Sequence, residues 1–86
     1  MKYNPEYVDY SYSGEELNKI FIKEFIRFRK ENNLTQEVFS EFSNCSREKI
    51  ARIENGSHSP TVLSLLNILG PIGYTIKIEK VDAQRK

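Results

Sequence analysis

From Glu15 onward the apolar residues recur in steps of three and four (Leu17, Ile20, Phe21, Phe25, Phe28), which is one face of a helix. Ser13 with Glu16 three positions later forms a capping-box start, and Tyr12 and Leu17 stand where a hydrophobic staple would close it. Asn32-Asn33 ends the helix, because asparagine tolerates the left-handed conformation that closes helices. Thr35 caps a second, short helix to about Ser43, with Val38, Phe39 and Phe42 expected to face inward. Asn44 turns the chain, and Ser46 caps a third helix that puts Ile50 and Ile53 inward and stops at Asn55-Gly56. Ser59-Pro60 is an N-cap followed by proline at the first helical position, and predicts a fourth helix. Val62, Leu63, Leu65, Leu66, Ile68 and Leu69 make that helix apolar nearly all round, hence deeply buried or shared with a partner.

Gly70-Pro71 must end or kink the fourth helix. Beyond Gly73 the period changes: Tyr74, Ile76 and Ile78 alternate with Thr75, Lys77 and Glu79, which predicts one strand with one apolar face. A lone strand leaves its backbone groups unpaired, so an equivalent strand from a second copy is the simplest partner. The chain therefore divides into a Tyr-rich arm over 1–14, a helical domain over 15–70, a dimerising strand over 71–81 and a tail over 82–86.

Composition narrows the possibilities. Eighty-six residues make one small domain, and a chain this short buries only about 60% of its unfolded surface. With one cysteine (Cys45) and one histidine (His58), neither a disulfide framework nor a Cys/His zinc site can be built within the chain. No metal or cofactor is expected, and oligomerisation is the remaining source of stability. No nucleophile, base and orienting group can be assembled, so an enzyme is not expected. The N-terminus lacks the apolar run of a signal peptide and no stretch is long enough to span a bilayer, so a cytoplasmic protein without a membrane partner is the expectation.

The run from Leu34 to Gly56, LTQEVFSEFSNCSREKIARIENG, has the spacing of a helix-turn-helix. Ser40 is small where the two helices cross, Asn44 suits the left-handed turn, and Ile50 locks the second helix onto the first. A second helix held in this way can project its N-terminal residues toward base edges in a major groove. This run, with SPTVLSLLNIL after it, resembles the lambda-repressor-like, or Xre/Cro-type, helix-turn-helix over residues 21–70. Asn44 stands where that family usually has glycine and Ser40 where it usually has alanine, and both replacements fit. The expected fold class is thus mostly α: a lambda-repressor-like helical bundle with a helix-turn-helix and a short C-terminal β-strand paired across a homodimer.

The resemblance implies roles residue by residue. Arg29 and Glu54 take the positions of a structural ion pair that holds the motif together, the alternative being a solvated pair of little worth. Gln36, Ser46, Asn55 and Ser57 take phosphate-contacting positions. Arg47, Glu48 and Arg52, with Lys49 beside them, are the base-reading candidates, since arginine suits guanine acceptors and glutamate can accept from cytosine. The bland alternative is a solvated helix face. Charge keeps it open: three cations stand against four anions between Leu34 and Ser57, and the whole chain carries only +1.

The C-terminal LNILGPIGYTIKIEKV resembles the ends of HigA- and HipB-type antitoxins, which implies dimerisation through Tyr74, Ile76 and Ile78 and a toxin as a further partner. Tyr3, Tyr7, Tyr10 and Tyr12 with Ile22 and Ile26 form a candidate partner contact, unless the arm folds back over those isoleucines. The expected function is a repressor on a palindromic DNA operator that also neutralises a toxin. A stand-alone phage or mobile-element repressor, and a protein-binding module without DNA contact, remain the competing readings.

Overall fold

The computed structural model describes residues 12–78. The arm tyrosines Tyr3, Tyr7 and Tyr10, the strand's end over 79–81 and the tail over 82–86 lie outside the described residues. Four α-helices follow one another: α1 (Gly14–Glu31), α2 (Gln36–Ser43), α3 (Arg47–Glu54) and α4 (Val62–Leu69), with a 3-10 turn over Gly70–Ile72.

The helix starts are set by side chains that satisfy free amides. Ser13 and Glu16 form a reciprocal capping box: the Glu16 N–H donates to Ser13 Oγ at 3.1 Å and the Ser13 N–H to Glu16 Oε1 at 2.8 Å. Thr35 and Ser46 cap α2 and α3, accepting from the Val38 and Lys49 amides, each at 3.1 Å. The fourth start departs from expectation. Its cap is Thr61, whose hydroxyl accepts the Ser64 N–H at 3.0 Å, so Ser59 and Pro60 lie in the preceding loop. Proline suits the loop as well as the first turn, and the hydroxyl nearer the apolar run takes the amide.

The helix ends share one device. After α1, Asn33 is left-handed (φ 57°), its N–H donates to the Lys30 carbonyl at 2.9 Å, and the Leu34 N–H reaches back to Arg29 at 3.1 Å. Gly56 (φ 85°) repeats this after α3, with the Ser57 N–H donating to the Arg52 carbonyl at 3.0 Å. Both are paired bonds across a left-handed residue that close a helix and reverse the chain. Between α2 and α3 the turn residue is Asn44 (φ 56°), as its position in the sequence requires.

The core is built on rings. Phe39 of α2 is fully buried, with Phe25 and Phe28 of α1 at centroid distances of 5.7 and 6.2 Å. Ile50 and Ile53 of α3 and Leu65 and Ile68 of α4 complete it. Cys45 packs partly buried against this core, and burial pushes its thiol up, Lys49 opposing.

On α2 the inward face differs from expectation. Phe42 is 59% exposed and Val38 is also exposed, while Ser43 is buried with its hydroxyl on the Phe39 carbonyl. Phe39 and Ser43 share one face at helical spacing, and small Ser43 permits close packing where a phenylalanine would not fit. On α4, Val62 and Leu63 are exposed and only Leu65 and Ile68 are buried. No strand forms among the described residues: after Gly73 the Tyr74 N–H donates back to Leu69, and the Tyr74 ring stands edge-on to Phe28 at 4.7 Å.

Asn44→Ala is expected to lower stability by about 1–2 kcal/mol, because alanine lacks asparagine's tolerance of the left-handed region, while Asn44→Gly stays near wild type. Thermal unfolding of the two variants checks this. On α1, burial pushes the Glu24 carboxyl above its ordinary range, with Glu31 adding to the rise and Arg27 opposing it. An acid whose pKa is raised by folding costs stability when ionised, a cost present at neutral pH and lost as pH falls below the unfolded value. Glu24→Gln is therefore expected to stabilise the fold at pH 7, with the advantage gone near pH 4, in urea titrations at the two pH values.

Candidate nucleic-acid interface

The clamp that fixes α3 is polar. Arg29, 9% exposed, comes from the last turn of α1 and meets Glu54 at the end of α3. Its Nε–H donates to Glu54 Oε2 at 2.7 Å and its Nη2 to Oε1 at 3.0 Å, a two-pronged carboxylate contact. Its Nη1 donates to the Leu34 carbonyl at 2.7 Å, and Gln36 Nε2 adds a bond to Glu54 Oε1 at 3.0 Å. The Glu54 carboxylate thus joins α1, the start of α2 and the end of α3, and the Arg29 guanidinium adds the loop before α2. With the Arg29 and Glu54 side chains only 11% and 7% exposed, this is no solvated surface pair.

The expected phosphate contacts fall around this clamp. Gln36 spends one side-chain N–H on Glu54, while its backbone amide sits at the open N-terminus of α2. Ser46 accepts the Lys49 amide, which leaves its hydroxyl hydrogen free to donate. Asn55 Oδ1 accepts the Ser57 N–H at 2.9 Å, leaving the Asn55 amide group as a donor. The Ser57 backbone amide is therefore already spent within the turn.

Arg47, Glu48 and Arg52 are exposed on α3, and their side chains make no hydrogen bond or ion pair with another described residue. Lys49 is half-buried and lines a cleft of about 310 Å³ with Asn44, Ser46, Ser64 and Asn67, beside the turn. Of the expected dimer residues, Tyr74 is engaged with Phe28 of its own chain, whereas Ile76 is 39% exposed and Ile78 fully exposed. Ile22 and Ile26 are half-buried. Ile22 lies against the Gly56 turn, and Ile26 lines a shallow cleft with Lys23, Arg27 and Lys30. Among the described residues no three His, Cys, Asp or Glu side chains could hold a metal ion, and no helix is long and apolar enough to cross a membrane.

Two short helices crossing at a left-handed turn, the second clamped at its far end with its outer side chains free, define a helix-turn-helix. The chain belongs to the helix-turn-helix family of the Xre, lambda-repressor-like kind, which matches residues 26–78. An uncharacterized HTH-type transcriptional regulator of Haemophilus influenzae is 36% identical over 62 residues, 72% of this chain. That match spans 63% of the Haemophilus protein, less than two thirds of its length. Another uncharacterized HTH-type transcriptional regulator, from Sinorhizobium fredii, is 31% identical over 60 residues, 70% of this chain and 78% of its own. No solved structure matches the chain.

Arg29→Met is expected to cost about 3–5 kcal/mol, because it leaves the Glu54 carboxylate buried without its charge partner. Adding Glu54→Leu to it is expected to recover most of that loss, since an apolar pair of similar volume removes the stranded charge. Urea unfolding of the single and double variants measures both.

Proposed function

We propose that the chain is a dimeric, sequence-specific DNA-binding transcriptional repressor that serves as the antitoxin of a type II toxin–antitoxin pair and represses its own operon. The observation that carries the DNA-binding reading is the clamp of Arg29, Glu54 and Gln36. It holds α3 rigidly while Arg47, Glu48 and Arg52 stand exposed with no partner among the described residues. Charged side chains left in solvent on a helix held in place are suited to base edges, and the donors at Gln36, Ser46 and Asn55 are suited to the flanking phosphates. The names of the two relatives point the same way.

Dimerisation is supported by the apolar side chains that stand exposed after the bundle among the described residues, Ile78 fully and Ile76 in part. Two copies related by a two-fold axis would present their α3 helices to half-sites about 34–36 Å apart on a palindromic operator. A cytoplasmic protein that needs no cofactor fits this role. The antitoxin part rests on the antitoxin-like C-terminal segment and on the exposed Leu17 and half-buried Ile22 and Ile26 of α1.

Arg52→Ala is expected to weaken binding to the DNA upstream of the protein's own gene by about 1–3 kcal/mol and to relax one base preference. Fluorescence anisotropy against that duplex and a scrambled one measures it, and an equal loss on both would make Arg52 a phosphate contact instead. Co-expression with the adjacent open reading frame, with a tag on this chain only, tests the antitoxin part. A stable complex whose second subunit arrests growth when expressed alone supports it. A bare homodimer that binds the upstream DNA leaves a stand-alone repressor, and absence of duplex binding at low salt leaves a protein-binding module.

A further inference from the structure

The surface that α2 and α3 offer to a duplex is electrically balanced. Between Leu34 and Ser57, Arg47, Lys49 and Arg52 face Glu37, Glu41 and Glu48, once Glu54 is taken up by Arg29. Neutralisation of phosphates supplies essentially all of a protein's non-specific affinity for DNA. A duplex held by these two helices alone is therefore held weakly, and further cations must come from an element that adjoins the recognition helix.

The first half of α1 adjoins it at one place. Lys19 and Lys23, one helical turn apart, line a groove of about 470 Å³ together with Glu54, Asn55 and Gly56 at the end of α3. Ile22, between the two lysines, packs toward the turn: its Cδ1 lies 3.7 Å from where a Cβ on Gly56 would stand. The two lysines are thereby held beside the Asn55 turn. Neither forms an ion pair with a described residue. Of the nearby acids on α1, Glu24 and Glu31 are both within reach of Arg27. In the groove itself Glu54 is bound to Arg29 and Gln36, so among the described residues Glu15 is the one acid there left to oppose two lysines. On the facing wall Asn55 keeps its amide group as a donor.

We propose that Lys19 and Lys23 bind DNA backbone phosphates, so that the groove between α1 and the Asn55-Gly56 turn continues the phosphate track beside the recognition helix. This rests on the DNA-binding reading above and adds residues from outside the helix-turn-helix to its footprint. Lysine suits the task, since a point charge on a flexible stem follows a phosphate without fixed geometry. The contribution is to affinity and not to sequence choice, because phosphates carry no base information.

The test is fluorescence anisotropy with the DNA upstream of the protein's own gene and a scrambled duplex of equal length, over a salt series from about 50 to 200 mM. The variants are the double substitution Lys19→Gln, Lys23→Gln and, as a control on the same helix outside the groove, Lys30→Gln, with circular dichroism to verify folding. The double variant is expected to lose roughly tenfold or more in affinity on both duplexes alike, and its salt slope to shrink by about 0.9 per contact, or about 1.8 for each protomer bound and about 3.6 for a dimer. Lys30→Gln is expected to change neither. Wild-type affinity and slope in the double variant overturn the proposal while leaving the DNA-binding reading intact. So does a loss no greater per charge than that of Lys30→Gln, or a loss confined to the upstream duplex. If the unaltered protein binds neither duplex at the lowest salt, the DNA-binding reading fails first and this inference falls with it.

Discussion

The ion pair between Arg29 and Glu54 is the constraint on which the rest of the arrangement depends. Two short helices of eight residues each have little intrinsic stability, so their relative angle must be imposed by tertiary contacts. The apolar core sets how closely they approach. It reaches the last turn of α3 through Ile53 but leaves the Glu54 carboxylate there to be fixed by a polar partner. The guanidinium does so by holding both carboxylate oxygens, and it also holds the Leu34 carbonyl that precedes α2. Burying this pair is expensive in desolvation. What it provides is a fixed axis, with Nε, Nη1 and Nη2 of the guanidinium each donating to a defined acceptor.

That rigidity separates two kinds of surface on α3. The inner face, Ile50 and Ile53, is fully buried against Phe39 and its neighbours. The outer face carries Arg47, Glu48 and Arg52, whose side chains have no partner among the described residues. A helix in which one face is overdetermined and the other is idle has side chains available for a ligand without any refolding of the scaffold. The near-cancellation of charge on that outer face has a further consequence. Attraction to a polyanion cannot be read from α3 alone, and the lysines of α1 beside the Asn55 turn enter the electrostatics of the same surface.

Much of this was legible in the chain because it is governed by local chemistry. Ser13, Thr35 and Ser46 cap helices through hydroxyls that reach amides three residues on, a distance fixed by the backbone. Asn33, Asn44 and Gly56 sit at left-handed positions that few other residues tolerate. The failures are equally physical. A phenylalanine at position 42 is apolar, yet α2 has one inner face, and Phe39 with small Ser43 occupies it. Thr61 and Ser59 are both competent caps, and sequence patterning does not rank them. The pairing of Arg29 with Glu54 was expected from resemblance; its burial and its sharing with Gln36 and Leu34 were not.

The sequence by itself determined where the first three helices begin and end, which turns reverse the chain, and that a helix-turn-helix lies between Leu34 and Gly56. These follow from capping, left-handed tolerance and apolar period, all of which act within a few residues. Only the tertiary structure decided which apolar residues are inside, since burial depends on the closeness of a neighbouring helix and not on hydrophobicity alone. It also decided that one carboxylate ties three segments together and that Lys19 and Lys23 stand beside Asn55, because contacts across some thirty residues of chain exist only once the helices have packed.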